Sequence, residues 1–538
     1  MPERFLNGTR IRLSSVQNVS TNVRPIRIRP VDGGLKVSTT GELIEPKFSP
    51  AMRDVSYFRN ELRKAFGGIQ LGADFDEAVQ WVGTWRRLDG LYQTVVITTK
   101  NLLSYNPTTG LWVEISPSDT LTGTIRNPVS VQFFNDVMYF SSLDYELRSW
   151  SGNISDVHTV VSGGRSSKAL ETINNRLVLA HIIESGDDRS QTIKWTINGG
   201  ISFTGTGSGT RDLTDREDSI QNIKKLGPFR GMIYKTESIV DMRSTGDIAN
   251  PFDTTEMASL GLLLANSLIS WAGGHFFVGS DENIYFFNGT GFEDIGSDIR
   301  DEFFSSLNYG SLDRAVGHFA EDTREYIIAI PTGTASNTAP SLYYAYEPKK
   351  KRWRSGLYRN LSCFGRYKTS AGISWDEDVG TWDQATDTWN DEAGTESRRQ
   401  TLVGTDTKRV FLLDSAQLSF DGTALSFSYE TGDMVGEEDG DEITLVEVII
   451  GYIIDGTATL IVDISRDRGT TFTNSKNVAL GGAGLSDGDF HYAHASFLVT
   501  GNNIRVRIRN SSSSEKVRII SITPRISMSK SSRTEAKV

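Results

Sequence analysis

Ile284-Tyr285-Phe286-Phe287-Asn288-Gly289-Thr290-Gly291-Phe292 reads as an apolar strand, a polar turn, and a second strand opening on an aromatic. The unit recurs. Leu102-Leu103-Ser104-Tyr105 leads through Asn106-Pro107-Thr108-Thr109-Gly110 into Leu111-Trp112-Val113. Leu147-Arg148-Ser149-Trp150 runs into Ser151-Gly152-Asn153, and Tyr343-Tyr344-Ala345-Tyr346 runs through Glu347-Pro348-Lys349-Lys350-Lys351 into Arg352-Trp353. Short strands around Asn, Gly and Pro turns spell β-hairpins. A unit repeating roughly every 40 to 50 residues predicts a β-propeller of six or seven blades rather than a sandwich.

Further hairpins fill the ring. Ser130–Phe134 and Val137–Phe140 meet at Asn135-Asp136, a pair suited to a type I′ turn. Arg176–His181 pairs with Thr192–Thr196 across a polar loop from Glu184 to Ser190, and Gly231–Lys235 meets Ser238–Met242 at Thr236-Glu237. His275–Gly279 precedes the Ile284 strand, and Glu325–Ile330 pairs with Ser341–Tyr346. The last blade is expected from Gly380-Thr381-Trp382-Asp383, Asp387-Thr388-Trp389 and Val410–Leu413. Helices interrupt at 297–304, behind cap-type residues, and at 257–264.

The propeller is expected over 49–417 within an all-β chain. From 418 the pattern turns to longer alternating strands: Ile443–Tyr452, Ala458–Ser465, Asn503–Arg509 and Lys516–Ile522. These predict a β-sandwich over 418–528, and Arg505-Val506-Arg507-Ile508-Arg509 puts arginines on one face and apolar residues on the other. Residues 529–538 are polar and expected to be disordered. Ahead of the propeller, 1–48 reads as an extended arm, its Arg24-Pro25-Ile26-Arg27-Ile28-Arg29-Pro30 barred from helix by its prolines. The arm holds Arg4, Arg10, Arg12, Arg24, Arg27, Arg29, Lys36 and Lys47 against Glu3, Asp32, Glu42 and Glu45. A basic arm of this kind lies on its own domain or on a neighbour, or stays solvated.

The 538 residues, 38% hydrophobic and 23% charged, are ordinary for a globular protein with a large core. The formal charge of −11 argues against general nucleic-acid wrapping, which needs basic surface. A lone Cys363 rules out an intramolecular disulfide and reads as a small apolar core residue. Met1-Pro2-Glu3-Arg4-Phe5 opens no apolar run, so no leader is expected, and no stretch approaches the ~20 apolar residues of a spanning helix. The default is folding in a reducing cytoplasm.

Candidate chemistry is sparse. Only His491 and His494 of six histidines are close, with no third ligand evident, so no metal is expected. Glu430, Asp433 and Glu437-Glu438-Asp439-Gly440-Asp441-Glu442 could hold calcium, as could Asp376-Glu377-Asp378 and Asp383, Asp387, Asp391, but none has the order of an EF-hand loop. Solvated loops are the commoner role. No phosphate loop, nucleophile elbow or zincin helix occurs. Lys349-Lys350-Lys351-Arg352 is a solvated loop tip or a contact to an acidic partner or phosphate backbone. Ser465-Arg466-Asp467-Arg468-Gly469-Thr470-Thr471-Phe472 resembles the Asp-box of sialidases and other propellers, where it is a structural hairpin turn. Asp467 suits backbone N–H groups there, Gly469 a positive φ, and Ser465, Thr471 and Phe472 the rest of the turn.

Two regions resemble the packaged-DNA-stabilisation and tail nozzle propellers of short-tailed bacteriophages. Near the start these are Gly33-Gly34-Leu35, the Asp54-Val55 step and Leu62-Arg63-Lys64-Ala65-Phe66-Gly67. Near the end they are Ser465–Phe472, Val478-Ala479-Leu480-Gly481, the basic strand Ile504–Arg509 and Val517–Ile526. Many relatives carry a Trp-Arg-Arg-like step before the basic strand, whereas Ala493–Thr500 here is mostly apolar and small. The resemblance implies a non-enzymatic virion component made in the host cytoplasm. It would be a homo-oligomeric ring, as a hexamer, at the distal end of the tail. It would assemble on the head-to-tail adaptor beside tail fibre or needle proteins, close to genomic DNA and without cofactors. Arg24, Arg27, Arg29, Lys349, Lys350, Lys351, Arg505, Arg507 and Arg509 would serve subunit or adaptor contacts. The rival is a glycan-binding or sialidase-like propeller enzyme, prompted by the Asp-box, though one box stands where several would be expected. A trimeric tail fibre would need coiled-coil or β-helix repeats, which the sequence lacks.

Overall fold

The computed structural model describes residues 23–529 except 38–42, 59, 117–118, 337, 369–398, 437–440 and 483. The expected Trp382 and Trp389 strands, the Asp376–Asp378 and Asp383–Asp391 carboxylates and the polar tail from 530 lie outside the described residues.

Five short strands come first: β1 (Val23–Pro25), β2 (Met52–Arg53), β3 (Val55–Phe58), β4 (Glu61–Lys64) and β5 (Gly67–Gln70). Six four-stranded antiparallel blades follow. The first is β6 (Val79–Arg86), β7 (Tyr92–Thr98), β8 (Leu102–Asn106) and β9 (Leu111–Ile115). The second is β10 (Ser130–Phe134), β11 (Val137–Ser142), β12 (Tyr145–Trp150) and β13 (Thr159–Val160). The third is β14 (Ser166–Ile173), β15 (Arg176–Glu184), β16 (Asp187–Trp195) and β17 (Gly209–Asp212). Next come β18 (Ile220–Gly227), β19 (Arg230–Lys235), β20 (Ile239–Ser244) and β21 (Phe252–Ala258). The fifth is β22 (Ile269–Trp271), β23 (Gly274–Val278), β24 (Ile284–Phe287) and β25 (Phe292–Asp294). After helix α1 (Arg300–Ser306) the sixth is β26 (Val316–Ala320), β27 (Glu325–Ile330), β28 (Leu342–Glu347) and β29 (Arg352–Leu357). The seventh joins β30 (Leu361–Tyr367), β31 (Gln400–Thr405) and β32 (Val410–Asp414) to β5.

The fold is a seven-bladed propeller, closed by an N-terminal strand that supplies the outer edge of the last blade. Phe411 pairs with Gln70 and Asp414 with Gly67. Separate apolar layers fill the gaps between blades. Trp85, Ile97, Phe140 and Trp150 pack between the first two, and Val82, Val96, Cys363 and Leu402 join the seventh to the first. Because both faces of a blade are packed, central strands such as β27 are buried along their whole length and lose strict alternation. Cys363 is buried, and desolvation pushes its thiol up to about 12.

The turns explain the repeating unit. Asn288 Oδ1 accepts from the backbone N–H of both Thr290 and Gly291, Gly289 takes φ 93°, and Phe292 stacks on Phe287 at 4.9 Å. Asn135 and Asp136 have φ of 51° and 59°, as a type I′ turn requires. Two expectations are corrected. The stretch from Glu184 to Ser190 is strand rather than loop, because Ser185 and Gly186 reverse the chain in two residues with φ of 56° and 89°. Residues 257–264 form no helix: β21 runs to Ala258, and the following loop ends in a 3₁₀ turn at Ala265–Ser267.

The C-terminal strands are β33 (Ser419–Phe420), β34 (Thr423–Ala424), β35 (Phe427–Glu430), β36 (Met434–Val435), β37 (Glu442–Ile453), β38 (Ala458–Ser465), β39 (Asn474–Leu480), β40 (Phe490–Gly501), β41 (Asn503–Asn510) and β42 (Arg518–Ser529). One sheet runs β3-β4-β42-β37-β40, with β1 also on β42; the other runs β2-β35-β41-β38-β39, with β36 on β41. The sandwich therefore takes strands from both ends of the chain. The expected boundaries shift accordingly: β2, β3 and β4, placed with the propeller by a division at residue 49, belong to the sandwich. The arm is a structural part of it, since strand pairing in this sheet holds Val23–Ile28 against Ile522–Ser527.

Candidate assembly site at the propeller–sandwich junction

The sandwich docks on the outer strand of the sixth blade. Leu35 donates its N–H to Trp353 O and Asp54 donates to Ser355 O, so the N-terminal segment extends that blade's edge. Asp54 is a buried staple at φ 50°. One carboxylate oxygen accepts from Leu357 N–H in the propeller and the other from Ser426 N–H in the sandwich, at 2.8 and 2.9 Å. Beside it Arg354 makes a buried bidentate pair with Glu325 and donates to Val55 O at 2.8 Å. Arg518 and Glu61 form a second bidentate pair joining β42 to β4. The Asp54-Val55 step and the segment Leu62–Gly67 thus join the propeller to the sandwich.

The arginine stripe is neutralised inside the fold. Arg505 makes a bidentate pair with Asp433 at 2.7 and 3.2 Å. Arg507 binds Asp463 at 3.0 Å and stacks on Phe472 at 3.7 Å, while Arg509 binds Asp463 at 2.6 Å. Glu430 and Asp433, candidate calcium ligands or solvated-loop residues in the sequence, are partners of these arginines. Among the described residues no group of three His, Cys, Asp or Glu side chains could hold a metal ion. His494 pairs with Glu447 instead.

A cavity of about 600 Å³ opens at the junction, lined by Arg53, Glu302, Ser428, Glu430, Arg507 and Arg509 among others. Burial pushes Glu430 up to about 7 against the pull of Arg507 and Arg505, and burial also raises Glu302, which accepts from Tyr344 OH at 3.2 Å. The cavity carries mixed charge, and its Arg53 attracts Glu302 and Asp54 against the effect of their burial.

The other basic candidates sit at the surface. Arg24, Arg27 and Arg29 are exposed along the arm. Lys349 and Lys350 are exposed at the β28–β29 turn, and Lys351 pairs with Glu293 at 2.6 Å. Arg352, next in sequence, turns inward to Glu347 and the Val31 carbonyl and stacks on Tyr57 at 3.8 Å. The Asp-box forms the turn expected of it. Asp467 accepts from Thr471 N–H at 2.8 Å, Thr471 Oγ1 and Ser465 Oγ, Gly469 takes φ 84°, and Phe472 lies under Arg507. Those bonds hold the Asp467 carboxyl down at about 2.

One linker between blades has no counterpart among the expected elements. The 3₁₀ segment Tyr309–Arg314, between blades five and six, reaches across the ring: Arg314 donates to Ile125 O and pairs with Asp406 of blade seven, and Tyr309 bonds Glu282. No periodic signal marks such a linker. It ties the linker between blades five and six to the loop between blades one and two and to blade seven.

No protein-family profile and no curated protein matches the chain. Among solved structures it is similar to the extracellular domain of a hybrid two-component system from B. thetaiotaomicron, at 8% identity and TM-score 0.39, over 65% of this chain and 40% of that one. The chain thus spans less than half the length of that structure. BamB from Moraxella catarrhalis aligns at 9% identity and TM-score 0.35 over 70% of this chain and 97% of that one. YCF48 from Cyanidioschyzon merolae aligns at 11% and 0.36, over 64% and 98%.

Proposed function

We infer that the chain is a structural ring component of a short-tailed phage tail, the distal nozzle, seated on the tail adaptor to retain the genome and release it. The observation carrying this reading is that the two distant regions resembling nozzle proteins meet in one sandwich. β4, from the first region, pairs with β42, from the second, through Leu62–Ile519 and Arg63–Arg518. The sandwich acts as the platform and the propeller as the wall. The DNA path in this reading runs between copies rather than through one propeller, whose blades Arg314 links through Ile125 O and Asp406. The net charge of −11 suits a wall that repels phosphate and lets a genome slide. The Asp-box, which prompted a glycan reading, has its Asp467 fully used within its own turn. Immunogold labelling of virions tests the proposal: label at the tail tip is expected, and purified virions without the protein would overturn it.

A further inference from the structure

We propose that the β1–β42–β37–β40 sheet continues from one copy of this chain into the next, the arm edge Val23–Arg29 of one copy docking on β40 of its neighbour. The proposal deepens the ring reading and rests on it only for closure of the ring.

The two edges flank one sheet at the same level, β1 lying on the side of β42 that it shares, further along, with β4. Val23 opposes Ser527, Ser527 opposes Thr444, and Thr444 opposes Thr500. Further along, Ile28 bridges Ile522, which opposes Ile450, which opposes Ala493. Each adjacent pair is antiparallel, so β1 runs opposite to β40. A second copy, related by rotation about an axis along the strands, therefore presents its arm antiparallel to β40.

The edges are also unlike each other in a complementary way. β40 is twelve residues long and pairs on one side with β37 alone among the described strands. Between Phe490 and Gly501 it contains no proline and no Lys, Arg, Asp or Glu, the residues that normally blunt a free edge. It exposes Tyr492 at 55% and Leu498 at 84%. Exposed carboxylates stand at its two ends: Asp487 and Asp489 ahead of Phe490, and Glu442 next to Ile443, the partner of Gly501. The arm edge lacks a donor only at Pro25 and exposes Arg24, Arg27 and Arg29, the last 4.0 Å from Asp32. Antiparallel docking brings Arg27 and Arg29 to the Asp489 end and Arg24 to the Glu442 end. Arm against arm would oppose like charges, so the contact is head-to-tail, the kind that closes a ring.

The test is the size of the purified full chain by light scattering and negative-stain microscopy. Wild type is expected as a ring. Leu498→Lys, at an exposed position, should shift it to monomer with an unchanged melting temperature. The double variant Arg27→Glu/Arg29→Glu should do the same, and adding Asp489→Arg/Glu442→Arg should restore the ring. A monomeric wild type overturns the proposal. So does a ring that survives both disruptions, or a reversed arm that the compensating pair fails to restore. A ring surviving disruption leaves the nozzle reading standing, whereas a ring that responds as expected but is missing from virions removes the nozzle reading alone.

Discussion

Glu430 shows how one side chain sets a pH dependence. It is buried beside Arg507, and desolvation outweighs the attraction of Arg507 and Arg505, raising it from 4.5 to about 7. Asp463 goes the other way: burial would raise it, but hydrogen bonds from Arg509, Ser475 and Arg507 prevail and hold it below its usual range. For Glu430 the folded state holds the proton more tightly than the unfolded chain. Its contribution therefore favours folding most below pH 4.5, falls as pH rises through about 7, and is level above that. Glu430→Gln should melt near wild type at pH 5 and above wild type at pH 8, by calorimetry. An equal or lower melting temperature at pH 8 would show that the arginine contacts, not desolvation, dominate at this position. Part of this cluster was legible beforehand. The alternation Arg505-Val506-Arg507-Ile508-Arg509 gave the arginine face, and Asp463 stood as a lone acid in the apolar run Leu460-Ile461-Val462-Asp463-Ile464. Joining them needed the register of β38 on β41, which pairs Asp463 with Arg507 and is a three-dimensional fact.

At the scale of elements, ring closure depends on β5. Its pairing with β32 seals the seventh blade, and Gly67 lies so close to residues 417–419 that a Cβ would sit 2.3 Å from the Ser419 carbonyl. Gly67→Val forces that backbone apart, with an expected cost of about 1–3 kcal/mol typical of overpacking. Limited proteolysis should then cut first between blade seven and blade one, and cleavage elsewhere with unchanged stability would argue against closure through β5. The same strand shows where sequence reading ran out. Hairpins with turn signals, such as Asn135-Asp136 and Asn288-Gly289, were legible because local chemistry fixes them. β5 has no hairpin partner nearby: its mate is over 340 residues away, and Gly67-Gly68-Ile69-Gln70 carries no alternation. β40 and the first half of β39 carry weaker strand signals for a related reason, their polar or small residues leaving the pairing to be supplied by β37 and β38.

At the scale of the molecule, the strands do change sheet near the expected boundary at 418, β32 ending the propeller at Asp414 and β35 opening the C-terminal sandwich strands at Phe427, but the core crosses it. Leu35, Met52, Val55 and Leu62 are each at most 6% exposed and share one core with Ile443, Val448, Ile508 and Ile522 of the sandwich and with Phe303, Tyr344 and Trp353 of the propeller side. A side chain of this type contributes about 1.5–3 kcal/mol when fully buried. Four of them together rival the ~5–15 kcal/mol that holds a whole domain. A chain beginning at residue 418 would also leave β42 without β1 and β4, stripping Ile519 and Ile526 of cover. Such a chain should show β-rich circular dichroism without a cooperative melt, and should aggregate through its open edges. The full chain should melt with the sandwich and the sixth blade coupled, because Asp54, Arg354 and Leu35 bind both. A sharp, reversible transition from residues 418–538 alone would mean that the C-terminal strands close their own core, and would restore the boundary that the sequence suggested.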